Sequence, residues 1–124
     1  MSATVGQPRT LPLVAVLYDV PLFAESLDGV FDGFADVQAF PSGPHAGGLL
    51  RWIRPDALIV EGADAGFAFE FARAEGVPLV HVRLRGNPRL TVLAGGASQA
   101  EDIDVSPSAI RNAILGSLVA GRLA

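Results

Sequence analysis

The fold turns on residues 11–27, LPLVAVLYDVPLFAESL. Leu11 to Leu17 is a short apolar run whose length and valines suit a strand buried on both faces. It ends at Tyr18-Asp19. Phe23, Leu27, Val30, Phe31 and Phe34 then recur at helical spacing, which predicts a first helix with one apolar face. A doubly covered strand feeding an amphipathic helix is the opening unit of a parallel α/β sheet.

The alternation continues outward from there. Asp36 to Phe40 predicts a weak second strand, closed by Pro41-Ser42-Gly43-Pro44. Leu49, Leu50 and Ile53 predict a short second helix that must stop before Pro55, because proline disfavours the helical conformation in the residue before it. Ala57 to Val60 predicts a third strand with Glu61-Gly62 at its end. A third helix is expected from about Ala65 to Glu75, ended by Gly76, and Val77 to Val82 is expected as a fourth strand. Ser106-Pro107 has the form of an N-cap followed by proline in the first helical position, opening a last helix that runs to about Leu118 or Ala120.

One stretch departs from the pattern. Only seven residues, including Gly86-Asn87-Pro88, separate Val82 from the next apolar run at Leu90–Leu93. A parallel crossover needs a dozen or more residues, whereas Gly-Asn between two arginine-leucine segments suggests a hairpin. The last strand is therefore expected to be antiparallel, or displaced, at the sheet edge. The usual fourth helix is missing, and Ala94 to Asp104 is expected as a long return loop. The expected architecture is a three-layer α/β/α sandwich around a mostly parallel five-stranded sheet. It forms a single domain over residues 11–124, after a flexible leader of residues 1–10.

Composition narrows the function. Of 124 residues half are hydrophobic and 18% charged, which is the balance of a chain that buries a core. A net charge of −4 argues against a surface for nucleic-acid phosphates. The absence of cysteine excludes disulfides and thiolate zinc sites. No segment approaches the ~18 apolar residues of a membrane span, and Met1 to Thr10 lacks a basic region followed by an apolar stretch. A cytoplasmic domain with no membrane or nucleic-acid partner is the expectation.

Four phrases, VAVLYDVPLFAESL (14–27), PDALIVEG (55–62), VPLVHVR (77–83) and VSPSAIRNAI (105–114), together resemble the response-regulator receiver domain, a flavodoxin-like fold. The resemblance spans most of residues 12–120. It implies a site at the strand ends where a pair of acids holds a metal ion beside a phospho-accepting aspartate, with a hydroxyl residue and a lysine to complete it. Tyr18 stands where the first acid of that pair would be, leaving Asp19 as the second. Glu61 stands at the acceptor and Arg83 at the hydroxyl position. All nine basic residues are arginine, so no lysine exists to complete the set. The chain thus resembles an atypical, degenerate pseudo-receiver, for which the ordinary phosphorylation switch is not expected.

The substitutions have a physical logic. Asp19 and Glu61 alone are weak candidates for recruiting magnesium, which takes an octahedral set of oxygens. With the usual strand order, the ends of the third and fourth strands are neighbours. Glu61 is then expected to pair with Arg83, whose planar fork suits a carboxylate, as a built-in ion pair in place of the transient phosphate. The alternative is that both are solvated rim residues. Tyr18 is expected to be a packed aromatic with its hydroxyl at the rim.

Other chemistry is sparse. The glycine-rich loop Ser42-Gly43-Pro44-His45-Ala46-Gly47-Gly48 precedes a helix but lacks both the Lys-Ser/Thr of a P-loop and a dinucleotide fingerprint. It is expected to be a loop and helix start without a ligand. His45 and His81 are too few and too separated for a metal site, and His81 is expected as a hydrogen-bonded core or rim residue. No serine lies in a nucleophile-elbow context, so neither catalysis nor a cofactor is expected.

Two helices carry more apolar surface than one packing face needs. Phe67 and Phe71 share a face of the third helix while Phe69 is rotated by about 200° from Phe67, so Phe69 is expected to be exposed or covered by another chain. In the last helix, Ile110, Ile114 and Leu118 form one stripe and Leu115, Val119 and Leu123 a second. The expected function is a stand-alone, receiver-like signalling domain acting through protein contacts, most simply an isologous homodimer. The alternatives are a flavodoxin-like domain binding a nucleotide or other small ligand at strand ends lined by Asp19, Glu61 and Arg83, and a structural subunit of a larger enzyme.

Overall fold

A computed structural model describes residues 11–62, 66–84, 89–94, 97–101 and 105–123. The chain runs β1 (Leu13–Tyr18), α1 (Pro21–Ser26), β2 (Asp36–Pro41), α2 (Ala46–Ile53), β3 (Ala57–Glu61), α3 (Gly66–Glu75), β4 (Leu79–Arg83), β5 (Arg89–Ala94), β6 (Ala97–Glu101) and α4 (Pro107–Leu123). The sheet order is β2-β1-β3-β4-β5-β6. β2, β1, β3 and β4 are mutually parallel, and β5 pairs antiparallel with β4. This is an α/β sandwich of the flavodoxin-like kind in which, among the described residues, no helix stands between β4 and β5 and the two strands run antiparallel.

The pleat sorts the core into two clusters, one on each face. Val14, Val16, Ala57, Ile59, Val80 and Val82 face α1 and α4, where they meet Phe23, Leu27, Phe31, Ile110 and Ile114. Ala15, Leu17, Leu58, Val60 and Leu79 face α2 and α3, where they meet Ala46, Leu50, Ala68 and Ala72. Because both faces of β1 and β3 are covered, their sequences are continuous apolar runs rather than alternating ones. Asp56 fixes the register at the amino ends: Leu13 N donates to Asp56 Oδ2 at 2.7 Å, and Asp56 N donates to Leu13 O at 2.7 Å.

The helix ends follow local chemistry. Ser106 caps α4, accepting from Ala109 N at 3.1 Å, with Pro107 in the first turn. Gly76 closes α3 with φ 67°, and Val77 N reaches back to Ala72 O at 2.9 Å, the bond of a Schellman cap. Arg54 ends α2 in the left-handed region at φ 51°, one residue before Pro55.

Several elements differ from expectation. α1 stops at Ser26, and residues 27–34 continue as turns with i→i−3 bonds such as Val30 N to Leu27 O. Gly29 and Gly33, at φ 79° and 81°, take conformations that an α-helix cannot hold. Phe31 is still buried although the helix is short, whereas Phe34, expected on the same face, is 51% exposed. α3 turns Ala68 and Ala72 to the sheet, and Phe67, Phe69 and Phe71 are half-buried around that contact. Small side chains let the helix backbone approach the sheet, which the phenylalanines would prevent. The expected return loop contains β6, antiparallel to β5, so the sheet has six strands and β6 is its edge. The leader of residues 1–10, the Gly86-Asn87-Pro88 turn and residues 102–104 lie outside the described residues. Among the described residues, no helix is long and apolar enough to cross a membrane.

Candidate functional site

In this strand order β1 and β3 are neighbours, yet α1 leaves β1 towards one face and α3 leaves β3 towards the other. The two connections diverge and open a crevice at the carboxyl ends of the strands, the usual place for a ligand in such sheets. Tyr18, Asp19, Glu61 and Gly62 all lie there.

Glu61 is the centre of this corner. It is the last residue of β3 and only 4% exposed. Its Oε1 accepts hydrogen bonds from Asp19 N at 2.9 Å and Val20 N at 2.8 Å. Val20 is the N-cap of α1 and has no capping side chain of its own, and the first turn of α1 carries no acid. Glu61 therefore serves from the neighbouring strand as the anionic group that holds the β1–α1 turn. A buried carboxylate is tolerated because it is hydrogen-bonded, and its bonds are charge-assisted.

Close packing surrounds the carboxylate. Gly62 has φ 118°, and a Cβ there would collide with Asp19 Oδ2, so only glycine lets the Asp19 carboxylate lie across the chain at this point. His81 Nε2 stands 2.6 Å from Gly62 O and donates to it, and the ring meets Phe69 edge-on at 5.5 Å between centroids. His81 is thus the hydrogen-bonded residue expected of it. Tyr18 is half-buried against the α1-side cluster, and Tyr18 O accepts from Ser42 N at 2.9 Å.

The expected Glu61–Arg83 pair does not form part of this corner. The β3–β4 register sets Glu61 opposite Val82, and Val82 packs with Ile59 on the α1–α4 face. Successive side chains alternate between faces, so Arg83 projects to the face opposite Glu61, where it is exposed. Adjacent strand ends were the right inference, but the parity of the pleat separates the two side chains. Glu61 bonds backbone amides of the β1–α1 turn instead. Among the described residues, no group of three or more histidine, aspartate or glutamate side chains is placed to hold a metal ion.

The glycine-rich loop, expected to be without a ligand, borders an opening at this end of the sheet that the sequence reading did not anticipate. An open cleft of about 630 Å³ is lined by Asp19, Ser42, Gly47, Gly48, Arg51 and Phe67, together with Gly43 and Pro44. Its signal was present: Arg51 follows Gly47 and Gly48 at helical spacing on a face that carries no other side chain. On the other side of the molecule a groove of about 450 Å³ is lined by Glu25, Asp28, Asp32 and Asp36 beside Phe31 and Val37.

The expected contact residues are distributed differently. Phe69 is half-buried by its own chain, against His81, rather than standing free for a partner. Ile110 and Ile114 are buried and Leu118 packs on the same cluster, while Leu115 of the second stripe is half-buried. The side chains of Val119 and Leu123 lie outside the described residues. Among the described residues, the most exposed large apolar side chains are Trp52, 84% exposed on α2, and Leu22, 69% exposed on α1.

The chain matches no protein-family model, no curated protein and no solved structure, so its fold class stands on strand order and helix placement, and its function on the chemistry of its own residues.

Proposed function

We propose that this chain is a receiver-like regulatory domain that acts through protein contacts and independently of aspartyl phosphorylation. The observation that carries the reading is Glu61. Where the resemblance implies a phospho-acceptor, this chain has a buried glutamate whose Oε1 already holds the amides of Asp19 and Val20. A carboxylate engaged in this way is a fixed latch between β3 and the β1–α1 turn, which an acyl phosphate would have to break. The extra methylene of glutamate lets the latch reach the neighbouring turn. The chain has no lysine, and Arg83 lies on the face opposite Glu61, so neither of these cations stands beside the Glu61 carboxylate. Exposed Trp52 and Leu22 supply apolar surface for a protein partner, most simply a second copy.

Thermal unfolding with magnesium and beryllium fluoride, a mimic of the acyl phosphate, tests the reading. A ligand held only by the native state at a hundredfold excess over its Kd stabilises by about 2.7 kcal/mol, a melting shift of several degrees in a domain of this size. The expected result is no shift. A shift that disappears in Glu61→Ala would mean that the corner still accepts a phosphoryl group, and the reading would fall.

A further inference from the structure

Two glycines in the first turns of a helix need a reason, because alanine is the better helix former at such positions. Gly47 and Gly48 of α2 have none in the packing: a Cβ built at either meets nothing within 4 Å. Neither has a left-handed φ, so the backbone does not require glycine. Both line the 630 Å³ cleft, and its volume falls in the range of small-molecule sites. Glycine is the residue used where a ligand approaches the backbone closely. The open space beside both glycines leaves room for such an approach.

The rest of the lining indicates what would fill it. Arg51, exposed in the second turn of α2, offers a planar cation suited to phosphate. Phe67, half-buried at the start of α3, offers an aromatic surface for a planar ring. Asp19 enters from the β1–α1 turn as an anion, and Ser42 brings a hydroxyl from the β2–α2 loop. A bare anion would gain from Arg51 and lose to Asp19. A ligand that puts an anionic group at Arg51, hydroxyl donors at Asp19 and a flat ring at Phe67 satisfies all three. We propose that the cleft between α2 and the β1–α1 turn binds a phosphorylated aromatic metabolite with a hydroxylated linker, the class of the nucleoside monophosphates. The proposal does not rest on the protein-contact reading, since Glu61 and Trp52 take no part in it.

The experiment compares melting temperatures of the chain alone and with millimolar AMP, GMP, CMP, UMP or inorganic phosphate. At least one nucleotide is expected to raise the melting temperature by several degrees, with inorganic phosphate giving a much smaller shift. Arg51→Ala, at an exposed position, is expected to melt as the parent does and to lose the nucleotide shift. The double variant Gly47→Ala/Gly48→Ala is expected to melt a few degrees higher without ligand, because alanine favours the helix, and also to lose the shift. The proposal is overturned if none of the four nucleotides shifts the parent, if inorganic phosphate shifts it equally, or if the shift survives in both variants. None of these results alters the beryllium fluoride experiment, which reads the Glu61 corner.

Discussion

Glu61 shows what one residue does when its neighbours are fixed. It was legible in the sequence as a notable position, an acid ending an apolar strand, but its partners were not. Asp19 and Val20 lie 42 and 41 residues away, and they donate backbone amides, which leave no mark on side-chain identity. Glu61→Ala would leave both amides short of an acceptor in a buried corner. The expected loss is about 2–4 kcal/mol of folding stability. Glu61→Gln keeps an acceptor oxygen without the charge and is expected to lose about half as much. Urea unfolding of the three proteins checks the ranking, and variants as stable as the parent would refute the latch. Gly62 belongs to the same corner, since its φ and the Asp19 carboxylate beside it both exclude a side chain.

Elements were most legible where their ends are punctuated by local chemistry. Ser106-Pro107, Gly76 and Pro55 each marked a helix boundary that the structure keeps. Ser106→Ala removes the acceptor for Ala109 N and is expected to cost about 1 kcal/mol, read as a melting temperature lowered by roughly 2–6 °C. An unchanged melting temperature would mean that water replaces the cap. α1 was less legible because two signals competed. The apolar spacing from Phe23 to Phe34 argued for a long helix, and Gly29 and Gly33 argued against it. The glycines prevailed in the backbone, while Phe23, Leu27 and Phe31 still reached the core through successive turns. In α3 the bulkiest residues drew attention, yet the sheet takes Ala68 and Ala72, because close approach of backbones favours small side chains.

At the scale of the whole molecule, β2 lies at one edge of the sheet and is exposed along most of its length, unlike β1 and β3. The protein-contact reading needs a surface, and Trp52 on α2 is the most exposed large apolar side chain among those described. It is also the only tryptophan in the chain, so its fluorescence reports on that surface alone. Raising the protein concentration is expected to move its emission to the blue as dimers form, with sedimentation showing the mass double. Trp52→Glu is expected to remain a monomer over the same range. Emission that stays red-shifted while the mass doubles would place the interface elsewhere.

The sequence by itself determined the order of strands and helices as far as β5, the parallel doubly covered core and the reversal at β5. These depend on apolar runs, turn residues and connection lengths, all contained within a few neighbouring residues. Only the tertiary structure decided that Glu61 and Arg83 part to opposite faces, that β6 extends the sheet, and that Arg51 and Phe67 meet Asp19 around one cleft. A single-residue change of register reverses the face of every side chain in a strand, and register is set by packing between distant segments. Local propensity carries no record of that choice.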